Sequence, residues 1–190
     1  SVLVLEAGPR DTNPYIHMPV GFFKMTSGNL IWGYKTAPLK HANNRVAVYP
    51  QARVLGGGSS INAEIYTRGC PEDYDHWAQL GNRGWSHADV LPYFKRSEDH
   101  EDGASEHHGA GGPLGVSHPR QKHELCEAFI RAGQERGLKF NPDFNGETQE
   151  GVGYYQLFTK SGLRCSTAVG YLRPARGRAN LDVRTGAQVT

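Results

Sequence analysis

Residues 56–58 are three consecutive glycines, followed by Ser59, Ser60, Ile61 and Asn62, and no other stretch of the 190-residue chain restricts its fold so strongly. Backbone without Cβ atoms turns tightly and can press its N–H groups against a bulky anionic group. A helix beginning near Ser59 would aim further free N–H groups and a positive dipole end at the same point. By itself, Gly-Gly-Gly-Ser-Ser is also the composition of a flexible turn between a strand and a helix. The chemistry it would serve is a diphosphate held by backbone amides, with Asn62 reaching a ring or a phosphate oxygen.

Composition narrows the class. The chain is 37% hydrophobic and 21% charged, with a formal net charge of +2, as expected of a globular protein with a sizeable core. No Lys/Arg run exceeds two residues, so no electrostatic footprint for nucleic acid is present. The apolar runs are too short for a membrane span, and no secretory signal opens the chain. Cys70, Cys126 and Cys165 are widely spaced with no CxxC pair, which favours reduced thiols in a cytoplasmic compartment.

Val2-Leu3-Val4-Leu5 reads as a parallel strand covered on both faces, and Leu181 to Val189 alternates like strand material at the far end. Parallel strands need neighbours reached through crossovers, so the chain reads as a piece cut from a longer protein. The first strand ends on Glu6; no GxGxxG in a strand–turn–helix setting is found. Residues 9–40 form an irregular excursion broken by Pro9, Pro14, Pro19 and Pro38, with one short helix near Val20 to Met25. Brief strands are expected at Trp32–Tyr34 and Val46–Tyr49. Pro71 with Glu72 and Asp73 starts a helix that Gly81 stops. Ser86 and Asp89 cap a second, which Pro92 should kink or split. Trp77 and Trp85 are expected as core anchors.

The stretch from Glu98 to Gly112 reads as a solvated loop, despite four histidines between 107 and 123, because their spacing fits no metal-ligand pattern. No metal site is expected. Residues 122–136 form the clearest helix, with Leu125, Phe129 and Ala132 on its buried face and Gly137 at its end. Gly151 to Thr159 reads as a strand, and Ser166 caps a helix ending before Pro174.

Residues 52–75, from Ala52-Arg53-Val54-Leu55-Gly56 through Gly69 to Asp75, resemble the first signature of the glucose–methanol–choline (GMC) oxidoreductases, FAD-dependent alcohol dehydrogenases and oxidases. Trp77-x-x-x-Gly81-Asn82-x-Gly84-Trp85, Asp89-Val90-Leu91-Pro92-Tyr93-Phe94, Arg164-Cys165-Ser166-Thr167-Ala168 and Tyr171-Leu172-Arg173-Pro174-Ala175 are similar to the family in the same order. The resemblance covers essentially the whole chain and is strongest to the choline-dehydrogenase-like branch.

It implies a mixed α/β fold: part of a Rossmann-like FAD-binding domain at 1–98, part of a substrate-binding domain at 99–174, and a return into the FAD-binding domain at 175–190. It implies that Glu6 binds the adenosine ribose, that Val54, Gly56 and Gly57 face the diphosphate and flavin, that Asn62, Ala63, Glu64 and Ile65 line the flavin side, and that Val189 offers backbone groups to the adenine. Relatives that attach flavin covalently do so through a histidine where this chain has Ile61, so FAD is expected to be noncovalent. Glu64 departs from the usual methionine or small residue, and a buried carboxylate there would be costly unless paired or protonated. The catalytic histidine of the family is expected beyond residue 190, and no histidine of this chain matches it.

The implied activity is oxidation of an alcohol, choline-like or another primary alcohol, by hydride transfer to flavin. The electron acceptor is oxygen or a quinone-type molecule, and the location cytoplasmic or peripheral to the membrane. A fragment of such an enzyme would be inactive alone. Two other readings use the same residues: a non-catalytic binding or structural module derived from the family, and a nicotinamide-dependent Rossmann enzyme, which leaves the 52–69 loop without a role.

Overall fold

The apolar run at the start of the chain forms strand β1 (Val2–Glu6), and it pairs in parallel with the last strand in register Val2↔Leu181 to Glu6↔Thr185. The computed structural model describes residues 1–25 and 27–190. Two compact units emerge: Ser1–Glu64 with Gly162–Thr190, and Ile65–Ser161. These cuts at 64/65 and 161/162 fall elsewhere than the 98/99 and 174/175 boundaries expected from the sequence.

In the first unit, β1 is followed by α1 (Pro14–His17), β2 (Tyr34–Lys35) and β3 (Val48–Tyr49), the last two antiparallel. Asn13 caps α1 by accepting the Tyr15 N–H, and Pro14 occupies the first helical position. A 3-10 turn over Pro19–Lys24 stands where the short helix was expected. The unit closes with β7 (Leu163–Arg164), a π-helical turn at Ala168–Leu172, α5 (Arg173–Ala175) and β8 (Leu181–Thr185). Pro174 lies inside α5 and does not terminate it. The core is Ile16, Met25, Leu30 and Val54, with Ala52 and Ile61 packed against it. The expected double cover of β1 is not observed, since Val2, Leu3 and Leu5 are exposed.

The second unit contains α2 (Pro71–Gln79), α3 (His87–Ser97), β4 (Glu98–His100), β5 (Leu114–Val116), α4 (Glu124–Glu135) and β6 (Thr159–Lys160). The local signals were accurate here. Ser86 and Asp89 form a reciprocal capping box, and Gly81, at φ +100°, follows α2. Pro92 does not split α3, which is continuous from His87 to Ser97. Trp77 and Trp85 meet edge to face at 5.8 Å and stay half-exposed, so they are not core anchors.

The face of α4 also differs from expectation. Ile130 is buried, and a Cβ on Gly133 would lie 3.1 Å from Val152, whereas Leu125 and Phe129 are exposed. Both apolar stripes exist on this helix, and the packing partner Val152 selects the one containing Ile130. Residues 151–159 are not a regular strand; they make isolated bridges at Val152 and Leu157 before β6.

Candidate functional site

The glycine loop leaves β3 and the core residue Val54, then reverses direction. Gly56 has φ +90° and Gly57 φ +57°, values that side chains resist. Gly57 N–H closes the turn onto the Val54 carbonyl at 2.8 Å. The chain then makes one 3-10 turn, Gly57–Ser60, instead of a longer helix starting near Ser59. Any anion held here is therefore held by individual amides, not by a helix dipole.

The serines fix this turn from within. Ser59 Oγ donates to Gly56 O at 2.6 Å, and Ser60 Oγ, fully buried, donates to Leu55 O at 2.8 Å. Thr167 adds a second clamp: its N–H donates to Ser59 Oγ at 2.9 Å and its hydroxyl to Gly56 O at 3.2 Å. These bonds face inward. On the other side the backbone at Gly57 and Gly58 is bare, because a Cβ built on either meets nothing within 4 Å among the described residues. A preformed, side-chain-free surface of this kind fits the phosphates of a dinucleotide.

Glu64, the residue that departed from the family pattern, finds its partner in Arg164. The pair is 3.1 Å apart with side chains 2% and 1% exposed. Burial raises the Glu64 carboxyl above its ordinary range, and Arg164 only partly offsets this. Burial likewise lowers the Arg164 guanidinium, against the opposing effect of Glu64. Arg164 also donates through Nε to Ile16 O at 2.7 Å and through Nη1 to Ser59 O at 3.1 Å and Asn62 Oδ1 at 2.6 Å. One guanidinium thus connects α1, the glycine turn and Asn62.

The remaining expected positions are scattered. Glu6 ends β1 and accepts the Gly8 N–H at 2.7 Å. Val54 is fully buried in the core, so it can offer a ligand only backbone. Ala63 and Asn62 are exposed beside the loop, and Val189 is exposed at 76%. Ile65 belongs to the second unit, where it bridges Leu157. Sequence reasoning missed Arg164 and Thr167 as supports of the loop. The Arg-Cys-Ser-Thr motif carried the signal, but nothing in it named Glu64 or Ser59 as the partner.

The histidine-rich stretch of the second unit is not a solvated loop. Glu98 and His108 are buried, and Glu98 accepts from Arg68 Nη2 at 2.7 Å, Gly109 N–H at 2.7 Å and His108 Nδ1 at 2.9 Å. His108 Nε2 bonds Asp143 Oδ2 at 2.8 Å, and Asp143 in turn accepts from Gln156 at 2.9 Å. Glu98, His100 and His108 bring ligating atoms within 4.8 Å of one another, but both nitrogens of His108 are already committed to carboxylates. The cluster is an internal ion network. Burial opposes the His108 imidazolium, yet its bonds to Asp143 and Glu98 outweigh burial and push it up to about 9. Burial of Glu98 is likewise outweighed by its donors, which hold it below its ordinary value.

The network makes stability depend on pH. A histidine raised from 6.5 to about 9 contributes stability that is fully present below pH 6.5 and disappears as pH rises through 9. The size is on the order of 3 kcal/mol, since each unit of pKa is about 1.4 kcal/mol. Glu98 and Asp143 are lowered, so their contribution is present above their ordinary values and is lost in acid. Thermal unfolding of residues 65–161 should therefore shift to lower temperature between pH 6.5 and 9, and His108→Gln should flatten that slope. Equal slopes in the two proteins would contradict the assignment.

A sequence profile described as GMC oxidoreductase matches residues 5–190. The chain is 44% identical over 191 residues to an alcohol dehydrogenase [acceptor] of Pseudomonas putida, covering all of this chain and 35% of that protein. It is 43% identical over 187 residues to an oxygen-dependent choline dehydrogenase of Brucella anthropi, covering 98% of this chain and 34% of that one. Among solved structures, pyridoxine 4-oxidase from Mesorbium loti superposes with a TM-score of 0.91 at 34% identity, over 97% of this chain and 37% of the oxidase. An FAD-dependent oxidoreductase from Chaetomium thermophilum gives a TM-score of 0.86 at 31% identity, over 97% of this chain and 34% of that structure. The chain spans about a third of the length of the relatives it matches. With the glycine signature, the later motifs and the fold all agreeing over nearly its full length, the chain belongs to the GMC oxidoreductase family.

Proposed function

We propose that the intact protein carrying this chain is an FAD-dependent oxidoreductase that oxidises the CH–OH group of an alcohol to a carbonyl. The observation that carries this reading is the glycine turn clamped by Ser59, Ser60, Thr167 and Arg164, with Gly56 packed inward against Ser60 and Ala168 and the backbone at Gly57 and Gly58 open on its outer side. Bound flavin would supply the hydride acceptor. This chain's part is to hold it: amides of the glycine turn at the diphosphate, Glu6 at the adenosine ribose, Asn62 to Ile65 along the flavin side and Val189 at the adenine. Ile61 leaves no histidine for a covalent link, so the cofactor is held noncovalently.

In this reading residues 1–98 and 175–190 serve the cofactor and 99–174 belong to the substrate domain, except that Arg164 and Thr167 brace the cofactor loop. The substrate is a choline-like or other primary alcohol, and the names of the Pseudomonas and Brucella relatives support that class. Oxygen or a quinone-type molecule accepts the electrons. Among the described residues no helix is long and apolar enough to cross a membrane. A cytoplasmic or membrane-peripheral location is proposed.

The test is direct. The purified intact protein should show flavin absorbance, release FAD unmodified on acid precipitation, and lose its visible band when an accepted alcohol is added without oxygen. A colourless protein that binds NAD would overturn the reading.

A further inference from the structure

The amide of Asn62 has two ends that are not interchangeable where it sits. Its Oδ1 accepts from Arg164 Nη1 at 2.6 Å and from the Glu64 backbone N–H at 3.1 Å. A guanidinium and a peptide N–H only donate, so the oxygen must face them and an amide flip is excluded by chemistry. Nδ2 is left on the opposite side of an exposed residue, and among the described residues no acceptor engages it.

The apparatus behind this is expensive for a surface amide. Glu64 stands at φ +66°, which costs a non-glycine residue about 1 kcal/mol. Among the described residues its Oε2 is buried without a hydrogen-bond partner. Buried ion pairs contribute little net stability compared with apolar residues of the same volume. Stability is therefore a poor account of Glu64 and Arg164. What they achieve is a guanidinium oriented by hydrogen bonds from Nε to Ile16 O and from Nη1 to Ser59 O, with the other Nη1 N–H aimed at Asn62. The Glu64 carboxylate faces Nη2 at 3.1 Å as a charge partner without a hydrogen bond.

We propose that Arg164, braced by Glu64, is a positioning residue that fixes Asn62 so that its Nδ2–H group is presented to the cofactor as a hydrogen-bond donor. The acceptor is a carbonyl or anionic oxygen of the flavin nucleotide, and the inference rests on the FAD reading above. A donor facing an atom that gains negative charge on reduction favours the reduced cofactor, so the residue tunes potential as well as affinity.

The experiment uses the intact protein and the variants Asn62→Asp, Asn62→Ala, Arg164→Lys and the double variant Asn62→Ala with Arg164→Lys. FAD affinity of the apoprotein, the flavin midpoint potential and thermal unfolding are read for each. Asn62→Asp keeps both inward acceptor contacts but presents an oxygen where Nδ2 was. It should unfold close to the wild-type temperature, bind FAD at least about tenfold more weakly and have a more negative potential. Arg164→Lys, whose ammonium lacks the planar fork, should shift the potential in the same direction. In the Asn62→Ala background it should add no further shift.

Unchanged affinity and potential in Asn62→Asp would overturn the proposal. So would an Arg164→Lys shift that is as large without Asn62 as with it. Should Arg164→Lys fail to fold, Asn62→Asp decides alone. Wild-type protein that holds no flavin would instead remove the underlying FAD reading.

Discussion

Glu98→Ala is expected to destabilise residues 65–161 by about 3–5 kcal/mol, the usual cost of removing one member of a buried ion network. Glu98 is 1% exposed and receives three donors, from Arg68, His108 and Gly109. Without it, the Arg68 guanidinium keeps its bonds to His107 O and Tyr66 Oη, but its charge loses the facing carboxylate. His108 retains Asp143 yet loses one of the two carboxylates that keep it protonated. Urea unfolding followed at Trp77 and Trp85 should show the midpoint moving with little change in slope. A loss below about 1 kcal/mol would mean that water reaches the network and that it behaves like a surface pair.

Gly58→Val is expected to weaken FAD binding by at least about a hundredfold in the intact protein, the equivalent of losing one or two charge-assisted backbone bonds. This glycine separates ligand effects from folding effects. Its φ lies outside the left-handed region, and a Cβ there meets nothing within 4 Å, so the protein alone accommodates a side chain. Gly57→Val should also abolish cofactor retention, but Gly57 has φ +57° and a β-branched residue there strains the backbone as well. Gly58→Val should therefore unfold near the wild-type temperature in the absence of cofactor and still fail to hold it. Normal flavin occupancy in Gly58→Val would count against a ligand lying on this surface.

Features governed by neighbours in the chain were legible in the sequence. The Ser86–Asp89 capping box, Pro71 opening α2, Gly81 closing it and the parallel character of β1 each depend on local chemistry or on strand composition. Features settled by distant partners were not. Asn62 and Arg164 are 102 residues apart, and nothing near Glu64 announces the cation that neutralises it. His108 and Asp143 are 35 apart, so a histidine inside an acid-rich, glycine-rich stretch read as solvated. On α4 the apolar residues form two candidate stripes, and only the approach of Val152 to Gly133 chooses between them. Pro92 was expected to interrupt α3 because it removes one donor, yet the helix continues through the missing bond.

The glycine signature occupies an intermediate position. Its role as a tight, bare turn was readable from composition, and Gly56 and Gly57 do adopt the φ values that only glycine takes easily. Its rigidity was not, because the clamps come from Thr167 and Arg164 on the returning segment.

Amide hydrogen exchange of the intact protein, compared with and without FAD, examines residues 56–62 where the account is most exposed. Added FAD should slow exchange in the peptide spanning Gly56 to Asn62, and the protection should vanish in Gly58→Val. Bound, spectroscopically normal FAD with unchanged exchange across that peptide would place the diphosphate elsewhere and contradict the account.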